Sequence, residues 1–180
     1  MPISSGRHTL GPGNATLTVK TGKTGAAAKA GHNLVFEVSA WTGTLEVGED
    51  PAQTRIELSA DSGSLRVLEG SGGVQALDAD DKDAIKQTID DEVLRGAAIE
   101  FRSHRAELGP ETLGVDGELS LGAASHPVAF ELALGADGRL AGSAKFKQTD
   151  FGMKPYSTLF GTLKVADEVE VVIDAKLASS

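Results

Sequence analysis

The sequence predicts an all-β protein: an antiparallel barrel of about eight strands, with one amphipathic helix inserted near residues 78–94, in a single domain over residues 1–180. Three observations point there. Apolar residues alternate with period two through most of the chain, turn-forming pairs separate the alternating runs, and one segment alone switches to a helical period. Such alternation marks strands with one face on a core, and closing them into a barrel removes the edges an open sheet would expose.

In chain order, Leu17 and Val19 open the pattern, and Leu34, Phe36, Val38 and Ala40 share the inner face of the next strand, with Glu37 and Ser39 on the outer one. Ile56 and Leu58, Leu65 and Val67, and Ile99 and Phe101 continue it, with Arg55, Glu57, Arg66, Glu100 and Arg102 facing out. Val115, Leu119 and Leu121 follow, then Val128, Phe130, Leu132 and Leu134, and finally Val169, Val171, Ile173 and Ala175. Asp61-Ser62-Gly63, Asp116-Gly117 and Asp137-Gly138 read as turns between these runs. Trp41, the only tryptophan, has the opposite parity to Phe36 and Val38, so it is expected outside the core unless a bulge beside Gly43 resets the alternation.

The segment from Asp78 to Leu94 carries Ile85, Ile89 and Val93 at i, i+4 and i+8, with Asp78, Asp80, Asp81 and Asp83 at its front, where the helix dipole favours acids. Its seven acids against Lys82 and Lys86 leave a net charge of −5, read as a solvated outer face. A twelve-residue calcium loop counted from Asp78 would need Gly sixth and Glu last, where Asp83 and Ile89 stand.

Composition narrows the function classes. With 40% hydrophobic and 24% charged residues and a mean hydropathy of −0.10, the chain is of the ordinary folded kind. The absence of cysteine excludes disulfides, thiolate nucleophiles and thiolate metal sites. A net charge of −9 and a pI near 4.9 argue against nucleic acid or an anionic membrane as an electrostatic partner, a local basic patch aside. No run of 18 apolar residues and no signal-like N-terminal segment is seen, so no integral membrane segment is expected and, with Met1 as the native start, a cytoplasmic location is. Thr21-Gly22-Lys23-Thr24 imitates a phosphate loop but has Leu17 where that motif requires Gly.

No nucleophile and base stand together in a recognisable motif, so no catalytic residue, metal or cofactor is assigned. His8, His104 and His126 are expected to be solvated or locally bonded. His32 shares the parity of Leu34 and Phe36 near the rim, either as a structural histidine bonded to backbone or as a contact to a ligand's head. Gln148 and Asp150 have the parity of Phe146 and either turn inward or cap the turn at Phe151-Gly152. The stretch from Phe146 to Leu163 gathers rare residues: Phe146, Phe151, Phe160, Met153 and Tyr156. Few aromatics, with Gly142 and Ala144 on an inward face, favour a barrel holding a cavity.

Several segments in order resemble the YceI-like family: Ala30-Gly31-His32-Asn33-Leu34, Asp91-Glu92-Val93-Leu94, Ile99-Glu100-Phe101-Arg102-Ser103, Asp150-Phe151-Gly152-Met153 and Asp167-Glu168-Val169-Glu170-Val171, spanning about residues 8–177. The resemblance implies a lipocalin-like barrel of bacterial type that binds long isoprenoid lipids in an apolar tunnel. Gln148 stands where many relatives carry Arg, and Lys154-Pro155-Tyr156-Ser157 resembles a subgroup from high-GC bacteria. The expected function is binding, carriage or sequestration of a polyisoprenoid, quinone tail or other lipid, without catalysis and with a homodimer compatible. Leu34, Phe36, Val38, Phe101, Leu119, Phe130, Leu132, Phe146, Phe151, Met153 and Phe160 are expected as wall, with His32, Gln148 and Asp150 at the rim. Two alternatives stand beside it: an enzyme on a lipid-like substrate with His32 and Asp150 as acid–base pair, or a filled barrel acting through its surface.

Overall fold

The computed structural model describes residues 3–158 and 161–178. Among them, twelve strands form one antiparallel sheet: β1 (Gly6–Leu10), β2 (Ala15–Thr24), β3 (His32–Val38), β4 (Trp41–Val47), β5 (Arg55–Ala60), β6 (Leu65–Gly72), β7 (Ile99–Leu108), β8 (Thr112–Leu121), β9 (Ala124–Leu134), β10 (Arg139–Lys147), β11 (Ser157–Thr158) and β12 (Leu163–Lys176). Their lateral order is β1-β4-β5-β7-β8-β9-β10-β12-β2-β3-β6, with β11 paired to β12.

Only Ser39 and Ala40 separate β3 from β4, and only residues 61–64 separate β5 from β6. Because β3 pairs with β6 and β4 with β5, the four segments are one long hairpin bent through a corner. Ser39 N–H donates to Ser64 O at 3.1 Å, Asp61 N–H to Ala40 O at 2.9 Å, and the Ser39 hydroxyl to Ser64 O at 2.9 Å, which holds the bend. On one side β3 joins β2; on the other β5 joins β7. The bent hairpin therefore links the two ends of the sheet; with β1 and β2, which follow β4 and β3 across the same corner, also counted as one strand and the two-residue β11 set aside, the sheet is the expected barrel of eight.

The same bend resets strand parity. Trp41, expected outside, is only 5% exposed and points into the core with Leu45 and Val47, because the chain turns between Val38 and Trp41 and the alternation restarts. These side chains belong to a solid lower half of the barrel, where Leu10, Leu45, Leu113, Leu132 and Leu140 are all but inaccessible. The register places the floor: Leu113 faces Leu132, Leu134 faces Leu140, and Ala15 faces Ala175.

Asp116-Gly117, read from sequence as a turn, lies inside β8, with Gly117 opposite Val128. Its glycine has a packing cause: a Cβ there would come within 2.5 Å of Phe101 Cζ and of Arg102 O. Asp137-Gly138 does form the β9–β10 turn, where Gly135 N–H donates to Arg139 O at 2.8 Å.

Helix α1 (Ala79–Thr88) starts with a capping box, Asp78 accepting from Asp81 N–H at 2.8 Å and Asp81 from Asp78 N–H at 3.1 Å. It continues as a wider π turn over Ile89–Leu94, so the helical segment matches the expected 78–94. The helix packs along the outer edge of β6, whose carbonyls have no strand partner. Lys86 Nζ donates to Gly63 O at 2.8 Å and Leu65 O at 3.1 Å, and Lys82 Nζ to Leu68 O at 3.4 Å. The two lysines thus satisfy an edge that would otherwise be available to another strand.

Replacing Gly117 by Val is expected to destabilise the fold by about 1–3 kcal/mol, the usual cost of overpacking, measured as a lower urea midpoint at unchanged m-value. An unchanged midpoint would show that the Phe101 ring does not need the glycine.

Candidate functional site: an apolar cavity in the upper barrel

Above the floor the inward side chains do not meet, and a cavity of about 470 Å³ remains. Leu34, Phe36 and Val38 from β3, Phe101 from β7, Leu119 from β8, Phe130 and Leu132 from β9, Phe146 from β10, Gln148 and Met153 all line it. Phe101 and Phe130, on either side of β8, meet with ring centroids 5.4 Å apart over the space that Gly117 leaves. Gly142, read as widening the interior, instead seats Leu132: a Cβ there would lie 2.7 Å from Leu132 Cδ2. Ala144 does face the cavity.

Three of the expected residues stand elsewhere. Phe151 is buried but packs between Phe146 (ring centroids 5.3 Å apart) and His126 (5.8 Å), so it closes the wall and is not among the lining residues. Asp150 projects toward His126, with Oδ2 3.8 Å from Nε2. His32 Nε2 lies 2.6 Å from Gln75 O and anchors the loop that leads from β6 to α1. That loop crosses closely over the imidazole at Gly73, where φ is +73° and a Cβ would come within 2.5 Å of Nε2. His32 thus anchors a loop, Asp150 stands beside His126, and neither lines the cavity. Phe160 lies outside the described residues.

The structure adds a wall that strand parity could not supply. Ala84, Ile85, Thr88, Ile89, Val93 and Leu94 close the gap beside β6, and no residue of α1 is fully buried, because its inner face looks onto the void. The i, i+4, i+8 spacing of Ile85, Ile89 and Val93 was the available signal; it marks an apolar face without saying what the face meets.

Polar groups on the lining are few: Thr21, Thr88, Ser143, Gln148 and Tyr156, none of them charged. Thr88 Oγ1 donates to Ala84 O at 3.0 Å within its own helix. Gln148 is buried and its Nε2 donates to Ala166 O at 3.0 Å. The 148–151 turn that carries it is clamped from β12: Asp167 accepts from Thr149 N–H at 2.9 Å and from the Thr149 hydroxyl at 2.6 Å. The hydroxyl bond first, and the N–H bond after it, hold the Asp167 carboxyl below its ordinary value. Gly152, at φ +69°, ends the turn, and Met153 N–H returns to Gln148 O at 3.2 Å.

Where β2 ends and β12 begins, Lys23 faces Val165, a lining residue, and Thr24 faces Lys164. None of Lys20, Lys23, Lys29, Lys154 and Lys164 lines the cavity. Lys23 Nζ donates to Gly31 O at 2.7 Å and ties β2 to the entrance of β3.

Residues 14–177 match the YceI-like domain. The chain belongs to the YceI-like family. Among solved structures, it is similar to Burkholderia cenocepacia BcnA, with a TM-score of 0.64 and 12% identity, covering 92% of this chain and 96% of that one. It is also similar to the Campylobacter jejuni YCEI protein, with a TM-score of 0.53 and 12% identity over 81% of this chain and 85% of that one. At such identity the likeness is one of fold. No curated protein matches the sequence. No helix among the described residues of this YceI-like chain is long and apolar enough to cross a membrane.

Because the folded pKa of Asp167 is lowered, its clamp contributes stability above the ordinary carboxylate value and loses it as pH falls through the folded one. Asp167→Asn is therefore expected to melt at a lower temperature than the parent at pH 7. The gap should close only in acid below the ordinary carboxylate value of 3.8, as read by thermal melts across pH 7 to 2.5. A gap that does not depend on pH would show that the carboxylate charge is not what holds Thr149.

Proposed function

We propose that this YceI-like protein binds an elongated apolar molecule, such as a polyisoprenoid, a quinone tail or another lipid, inside the barrel, and carries or sequesters it without catalysis. The observation that carries this reading is an interior void walled by apolar side chains from strands and helix alike, with a handful of neutral polar groups. Burial alone supplies the affinity: about 0.8 kcal/mol per methylene removed from water leaves several kcal/mol for a ten-carbon chain after ordering costs. Met153 on the lining suits a ligand of irregular shape, since its thioether chain adapts. Family membership supports the same reading.

Two observations weigh against the alternatives. The void argues against a filled barrel acting through its surface alone. An acid–base mechanism on His32 and Asp150 lacks its geometry, since the first is engaged with Gln75 and the second stands beside His126.

Organic extraction of the purified protein followed by mass spectrometry is expected to release a lipid with a long hydrocarbon portion. Leu119→Asp, which puts a charge on the wall at a half-buried site, is expected to leave the extract empty and to abolish uptake of added lipid. A folded L119D protein that still takes up lipid would overturn binding in this cavity.

A further inference from the structure

We propose that one end of the barrel, formed by the start of β12, the β2–β3 connection and the loop from β6 to α1, docks on an anionic lipid bilayer with the opposite, acidic end turned away. The proposal goes beyond the carrier reading and does not depend on it, since it concerns the outer surface.

Four stretches lie side by side at this end, each tied to the next. Val165 N–H donates to Tyr156 O at 2.9 Å, which joins residues 154–158 to the start of β12. Ala27 N–H donates to Thr162 O at 2.8 Å, which joins that segment to the β2–β3 connection. Lys23 Nζ, bonded to Gly31 O, lies against Gly72, where a Cβ would come within 2.7 Å of it. His32 Nε2 meets Gln75 O, so the loop after β6 completes the row. The cavity reaches this surface: Thr21 and Val165 line it, and Tyr156 lines it while remaining 38% exposed.

Charge is segregated along the barrel. Residues 21–35, 70–77, 152–158 and 161–166 carry Lys23, Lys29, Lys154 and Lys164 and no acid, in a chain of net charge −9. Lys29, Lys154 and Lys164 are exposed and have no carboxylate partner among the described residues, whereas Arg66, Lys86, Arg102, Arg139, Lys145 and Lys176 each have one. The acids of α1 run down the β6 edge away from this end, with Lys82 reaching Leu68 O and Lys86 reaching Gly63 O. Because consecutive antiparallel strands turn at alternate ends, the connections 48–54, 109–111 and 135–138 lie at the floor. They carry Glu49, Asp50, Glu111 and Asp137 and no lysine or arginine. An anionic surface therefore attracts one end and repels the other, which orients the molecule on approach. The exposed side chains beside the lysines suit a headgroup layer. Val74, on the Gly72-Gly73 turn, is 82% exposed, and the Tyr156 ring belongs to the class that settles at a membrane–water interface.

The test is flotation of the intact chain with phosphatidylcholine vesicles, with and without about one third phosphatidylglycerol. Binding is expected to the anionic vesicles only, and to fall away between about 0.1 and 1 M salt as the Debye length shrinks from about 10 to about 3 Å. At about fivefold for each lysine near an anionic surface, the combined Lys29→Ala, Lys154→Ala and Lys164→Ala variant is expected to bind about a hundredfold more weakly. The control removes three cations at the floor end, Arg7→Ala, Arg55→Ala and Lys176→Ala, which gives the same net charge. Its binding is expected to change by less than about twofold, since those groups stand well beyond a Debye length from the docked face. Equal weakening in the two triple variants would overturn the proposal. So would equal binding to neutral vesicles, or a parent that ignores anionic vesicles, as a basic face meant for an acidic protein would. The lipid-composition and salt readings come from the unmodified chain, so they decide the matter even where a variant does not fold. Organic extraction of the same preparation reads the cavity separately: a lipid-loaded protein that does not float would lose the docking face and keep the carrier reading.

Discussion

A barrel closes only when the first and last strands of its sheet are brought together, and here that meeting depends on one hairpin bent at Ser39–Ala40 and Asp61–Ser64. The backbone bonds from Ser39 to Ser64 and from Asp61 to Ala40 hold the corner, so one pair of strands serves two parts of the wall. Before the corner, Phe36 and Val38 face the void; after it, Trp41 and Leu45 fill the floor. The excursion of β6 beyond the corner leaves an edge without a strand partner. The helix lies along it, with Lys82 and Lys86 on its carbonyls, so the acidic segment is structural on one face and solvated on the other.

Whether such a barrel is solid or hollow is decided by how the inward faces share space. Glycine does not simply mean room. Gly142 is filled by Leu132 and Gly117 by the Phe101 ring, each large side chain lying over a neighbouring strand's glycine. Those exchanges tighten the wall, while the void higher up survives because half-buried residues of α1 cover it without entering it. The part of the wall that is helix can be displaced more cheaply than the part made of paired strands, since it gives up few buried contacts.

Charge is sorted with the same economy. Exposed ion pairs such as Arg139–Asp174 and Lys176–Asp137 bind the outer surface between strand ends, where each contributes little. The interior holds neutral groups only, and the polar residues nearest the mouth are mostly committed to anchoring loops: His32 to Gln75, Thr149 to Asp167, Gln148 to Ala166. Gln148 is both committed in this way and on the cavity lining.

Much of this was legible in the chain. Period-two alternation placed Leu34, Phe36, Val38, Phe101, Leu119, Phe130, Leu132 and Phe146 on the inner face, and the capping acids with Ile85, Ile89 and Val93 marked the helix, because both signals are local consequences of backbone geometry. His32 is the backbone-bonded structural histidine that was one of its two readings, whereas Trp41, Gly117, Phe151 and Asp150 were not legible. Trp41 turned inward because a corner reset its parity, Gly117 is a packing seat that looks like a turn, and Phe151 and Asp150 meet groups distant in sequence or across a turn. By itself the sequence determined which faces are apolar and that the strands form a barrel with one helix. Only the tertiary structure decided where the barrel bends, which half is solid and which residues bound the void, because those depend on the summed volumes and register of strands far apart in the chain.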